Sequence, residues 1–208
     1  MKFAAIEPAS PEDTADGAEQ RTAPRFTLLI RAAKIIAHQG EFVGVIRDVS
    51  NTGVSMRLFH RLPRSGALAL ELQSGEQFAI KRVWEEPGEA GFEFEQDVAV
   101  DRFISEVGEF PKRGLRFGIA FPLDVTSRGE RFEAMVENIS QQGARIACDG
   151  MFAIDQSLTL SGEGLDKVRA KVRWRSQGQY GVVFDDTFSL SQFAQLAAQL
   201  QAPALLSE

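Results

Sequence analysis

The chain is short of several things, and each shortage removes a class of explanation. Among 208 residues there is one cysteine, Cys148. No intramolecular disulfide can form, as in proteins of a reducing compartment. No stretch approaches the roughly 18 consecutive apolar residues of a membrane-spanning helix, so no membrane insertion is expected. The opening "MKFAAIEPASPEDTADGAEQ" lacks the apolar run of a signal peptide, and a cytoplasmic location is expected. Positive charge is not in excess: 23 Lys and Arg stand against 29 Asp and Glu, a net charge of −6. Nonspecific nucleic-acid binding depends on such an excess, so neither DNA nor RNA is an expected partner.

Catalytic and metal-binding patterns are also missing. His38 and His60 are the only histidines, and neither sits at metal-ligand spacing with Cys148. Both read as surface loop residues, and Cys148 as a small core residue on a strand. "SGEGLDK" (161–167) lacks the Gly-Lys-Ser/Thr ending of a phosphate loop. With no nucleophile beside a base, the chain is not expected to be an enzyme or to hold a cofactor.

What is present is a repeat. "RDVSNTGVSM" (47–56) reads like "ENISQQGARI" (137–146), and "VWEEPGEAGFEFE" (83–95) like "RWRSQGQYGVVFD" (173–185). Ser50/Ser140, Gly53/Gly143, Trp84/Trp174, Gly91/Gly181 and Phe94/Phe184 all share an offset of 90, and they include the only two tryptophans. "RTAPRF" (21–26) matches "KRGLRF" (112–117) at an offset of 91. Units of this length exceed solenoid repeats of about 20–50 residues and suit small domains. Two tandem copies are expected, over 19–107 and 108–203. Residues 1–18 combine one lysine with Glu7, Glu12, Asp13 and Asp16, and read as a disordered acidic tail.

Each copy is mainly β. In the first, segments 26–37, 41–50, 53–59, 67–73, 76–84 and 90–95 are extended or alternating and are separated by Gly and Pro. That pattern predicts a six- or seven-stranded barrel. A helix with one apolar stripe follows each: Val100, Phe103, Ile104 and Val107, then Leu190, Phe193, Leu196, Ala197 and Leu200.

Two landmarks carry the chemistry. Arg21 and Arg25 stand four apart on a proline-containing segment. Guanidinium groups clamp phosphate oxygens or guanine O6 and N7 in a planar fork, and they stack on bases. Asp48-x-Ser50-x-x-Gly53 falls between two strands. Its carboxylate can accept from guanine N–H groups, and Gly53 can take positive φ or admit close approach of a ligand. The stretch 19–58 carries a local charge of +3 from six cations and three anions, which favours an anion.

In this order, closed by Trp84 and Gly91-x-x-Phe94, the motifs resemble the PilZ domain, and the resemblance covers both copies. It implies two tandem six-stranded β-barrels, each followed by a C-terminal α-helix. It also implies a bacterial receptor for cyclic di-GMP that acts on a protein partner in motility, exopolysaccharide synthesis or biofilm formation. By that likeness Arg21, Arg25, Asp48, Ser50 and Gly53 bind the dinucleotide, while Trp84, Gly91 and Phe94 pack the barrel. The second copy offers Lys112, Arg113, Arg116, Asn138, Ser140 and Gly143. Its lysine loses the planar fork, so ligand is expected mainly on the first domain. The alternative is a ligand-independent interaction scaffold.

Overall fold

The computed structural model describes residues 26–64, 66–104 and 114–207. It contains two closed antiparallel barrels of six strands each. The first is built from β1 (Phe26–Ala37), β2 (Gly40–Val49), β3 (Gly53–Leu58), β4 (Leu68–Glu71), β5 (Gln77–Glu86) and β6 (Glu89–Phe94), in the order β1-β2-β3-β6-β5-β4. The short helix α1 (Asp101–Ile104) follows. The second barrel repeats that order with β7 (Phe121–Ser127), β8 (Glu130–Ser140), β9 (Gly143–Cys148), β10 (Ser157–Gly162), β11 (Leu165–Ser176) and β12 (Gln179–Phe184), followed by α2 (Leu190–Gln201).

Alternation decides what each strand buries. β5 sends Phe78 and Ile80 inward, and β7 sends Phe121, Leu123 and Val125. The first core gathers Ile35, Phe42, Met56, Leu70 and Phe103; Phe103 stacks on Phe78 with ring centroids 5.0 Å apart. The tail predicted over 1–18 lies outside the described residues. Among those described, no helix is long and apolar enough to cross a membrane.

α2 is built to be covered on two sides. Ser189 opens it with a capping box: its hydroxyl accepts from the Gln192 backbone at 3.2 Å, and the Gln192 side chain accepts from the Ser189 backbone at 2.9 Å. Phe193, Ala194, Ala197 and Ala198 are all buried. Phe193 meets Phe117 edge-on at 5.0 Å inside the second barrel's core. The same cluster extends across to Val43, with Ala32 and Phe59 packed against it. These three belong to the outer face of the first barrel, so α2 seals its own barrel and also docks on the other.

Polar contacts complete this joint. Glu41 donates its backbone N–H to Gln201 Oε1 and accepts from Gln201 Nε2, both at 2.8 Å. Lys34 is buried between Glu41 Oε2 at 3.0 Å and Glu71 Oε1 at 2.9 Å, with its ammonium 5.3 Å from the Phe117 ring centre. Glu41 Oε2 also accepts from the Gly118 backbone at 2.9 Å. Lys34, counted above in a cationic patch, therefore serves the joint. Arg31 is likewise engaged elsewhere, donating to the carbonyl of Phe103.

Candidate functional site

The Asp48–Gly53 stretch joins β2 to β3. Its shape follows from bulges that recur in both barrels. In β2 the register shifts between Ile46 and Asp48, and in β8 between Val136 and Asn138. Such an extra residue re-aims the side chain that follows it. Asp48 then accepts from the Ser55 hydroxyl at 3.0 Å.

Ser50 is a turn-former before anything else. It is buried, its N–H donates to the Gly53 carbonyl at 2.8 Å, and its hydroxyl lies 3.4 Å from that carbonyl. Ser140 repeats the arrangement, donating to Gly143 O at 3.1 Å. Gly53 is not in the positive-φ region, and the close approach is not a ligand's. A Cβ there would lie 2.5 Å from the Phe92 carbonyl oxygen of β6. Gly143 would meet the Val182 carbonyl in the same way. In both copies the glycine lets the neighbouring strand come close.

Arg21 and Arg25 lie outside the described residues, as do Lys112 and Arg113. The strand that follows the first pair is described. Phe26 pairs with Val49 and Thr27 with Asp48, so β1 begins directly against the turn. In the second copy an isolated bridge joins Phe117 to Ile139 at the corresponding place. There Arg116 donates from Nη1 to Asn138 Oδ1 at 3.1 Å. The structure thus unites the last residue of one motif with the first residue of the other.

A cavity of about 400 Å³ lies over the first turn, lined by Asp48, Ser50, Ser55, Val83, Trp84 and Glu93, among others. Trp84 corrects an expectation. It is not barrel core but 41% exposed, and Val83 beside it is 64% exposed. A bulge between Arg82 and Trp84 turns the indole outward. It lies across Gly91 of β6 so closely that a Cβ on that glycine would collide with Nε1. Trp174 over Gly181 is the same construction, with a bulge between Val172 and Trp174. The Trp/Gly pairing at a fixed offset was visible in the sequence; that it builds an exposed aromatic shelf beside Asp48 was not.

The two surfaces differ in charge. Val83 and Ser55 of the first correspond to Arg173 and Arg145 of the second, which pair with Asp155 at 3.2 Å and Glu137 at 2.5 Å. Among the described residues no group of three or more His, Cys, Asp or Glu could hold a metal ion. Cys148 is buried on β9, and burial raises its thiol pKa. His38 is exposed, but His60 is not the surface loop residue expected. Its ring packs edge-on against Phe42 at 5.3 Å, and Nδ1 lies 2.7 Å from the Arg61 carbonyl. Burial lowers its pKa.

Residues 111–202 match the family model described as PilZ domain. The match falls on the second barrel, the copy with Lys112-x-x-x-Arg116. No curated protein matches the chain. Among solved structures it is similar to the PlzA protein of Borreliella burgdorferi in complex with c-di-GMP, at 12% identity and TM-score 0.35, covering 89% of this chain and 96% of that one. It is similar to MrkH of K. pneumonia in its apo state, at 13% identity and TM-score 0.34, covering 84% and 88%. It is also similar to the inhibitor of motility MotI/DgrA of Bacillus subtilis, at 13% identity and TM-score 0.35, covering 87% and 100%.

Proposed function

We propose that this chain, which carries a PilZ domain over residues 111–202, is a receptor for cyclic di-GMP that binds the dinucleotide mainly on its first barrel. The observation that carries this reading is the pairing of Phe26 with Val49 and Thr27 with Asp48. It starts the strand after Arg25 beside the Asp48–Gly53 turn, which lines the cavity that Trp84 borders.

In this reading Arg21 and Arg25 hold phosphate and the Hoogsteen edge of guanine. Asp48 accepts from guanine N–H groups, and Ser50 and Gly53 keep the turn in shape. The exposed Trp84 face gives a base a stacking surface, an interaction worth about 1–3 kcal/mol. The signal passes along β1, which starts at the site and carries Ala32 and Lys34 into the joint with the second barrel. Closure of the arginine segment acts on that strand and on the partner surface beyond it. No covalent step is assigned to any residue.

Isothermal titration of the full chain with cyclic di-GMP tests this. Saturable binding is expected, lost in Arg21→Ala and Arg25→Ala and largely kept in Lys112→Ala/Arg116→Ala. Heat that depends on the second pair alone would move the site to the second barrel. Absence of binding would leave the scaffold reading.

A further inference from the structure

The repeat allows one surface to be compared in two states. On the first barrel, the outer face of β1, β2 and β3 presents Ala32, Val43, Val45 and Phe59. α2 covers it: Val43 is 1% exposed, Val45 is buried, and Ala32 and Phe59 pack against the second core. Strand pairing fixes the counterparts. Ala32 pairs with Val45 as Pro122 pairs with Met135, and Lys34 pairs with Val43 as Asp124 pairs with Glu133. Phe59 corresponds to Asp149 at the offset of 90.

On the second barrel this face is an open groove of about 810 Å³. Met135 stands 45% exposed on its floor where Val45 is buried, and Glu133, Asp149 and Glu163 are exposed on its walls. The flanking ion pair is reversed: Lys34–Glu41 on the first barrel becomes Asp124–Arg131 on the second. The groove lies on the strand face that holds a helix on the first barrel, and its walls are acidic.

We propose that this groove docks an amphipathic helix of a partner protein, with small or apolar residues along one face and lysine or arginine on its flanks. The first barrel shows what the shape accepts, since its own copy of the face holds α2 with Ala194 and Ala198 fully buried. Charge selects the occupant: acidic walls around an exposed methionine attract a basic helix. The α2 helix of a second copy does not fit, because it has no charged residue and is already docked within its own chain.

The probe is a fluorescently labelled, helix-stapled peptide of residues 189–203 carrying Gln195→Lys. Gln195 shares a cavity with Phe59 and Gly88, whose counterparts are Asp149 and Gly178, so the lysine is set against Asp149. Anisotropy should show saturable binding to the full chain. Met135→Glu, and separately Glu133→Lys with Asp149→Lys, should each weaken it about tenfold; all three positions are exposed, and unchanged thermal melts would confirm folding. Absence of saturable binding would overturn the proposal. So would equal binding of the unmodified α2 peptide, binding indifferent to both groove variants, or self-association of the chain that Met135→Glu abolishes.

Discussion

Gln201 closes a two-point amide contact on the backbone of Glu41, 160 residues away in sequence, with both hydrogen bonds at 2.8 Å. Gly40 makes room for it, since a Cβ there would collide with the Gln201 side chain. Gln201→Ala should therefore cost roughly 1–3 kcal/mol, the range for partly buried backbone groups left without partners. Gly40→Ala should do at least as much, because its φ of +141° also disfavours a side chain. Urea unfolding of each variant checks this, and a transition that splits in two would show the barrels uncoupled.

Lys34 is the only buried cation among the described residues, held by two carboxylates that are themselves partly exposed. Lys34→Met should destabilise by about 2 kcal/mol, less than a fully buried pair because water still reaches Glu41 and Glu71. Restoring balance with Lys34→Met/Glu71→Gln should recover part of the loss in the same assay.

Trp84 is half exposed, so Trp84→Ala should cost only about 1–2 kcal/mol, below the 3–5 kcal/mol of a buried tryptophan. Its effect on cyclic di-GMP affinity should be larger, about tenfold or more. Gly91→Ala displaces the indole and should lower affinity in the same direction. Trp174→Ala, on the other barrel, should leave affinity close to wild type. Chemical denaturation and calorimetry on the same samples separate folding from binding.

Gly53→Ala pushes a methyl toward the Phe92 carbonyl, and Gly143→Ala does so toward Val182. Each should destabilise by about 1–3 kcal/mol, the usual range for overpacking. If Gly53 served the ligand alone, the melting temperature would not move.

Burial holds the His60 imidazole below the ordinary histidine range. The unfolded chain then binds the proton more readily than the folded one. Stability should fall as pH drops through the unfolded value of about 6.5 and level off below the folded one. His60→Gln should flatten this part of the profile, measured as urea midpoints between about pH 7.5 and 5.

The strands were readable because β3, β4 and β7 alternate cleanly and Gly and Pro mark many of the breaks between segments. The two-copy organisation was readable from Trp84/Trp174 and Gly53/Gly143. The Trp84 shelf was not, because an extra residue in β5 flips a side chain that simple alternation would place inside. The joint left a trace in the sequence of β2. "FVGVI" in β2 is apolar on both faces, the signature of a strand covered from both sides, whereas "FEAMV" in β8 puts Glu133 beside Met135 on its outer face. What covers β2 comes from 150 residues further on, a distance that local pattern does not span.

Glu41 holds the backbone N–H of Gly118, two positions after Arg116. The first barrel thereby grips the stem of the segment that bears the second copy's basic residues. From that same stem Arg116 reaches Asn138. Were a ligand to settle beside Arg116 with a preference for one inter-barrel angle, the angle would return the same free energy to its binding.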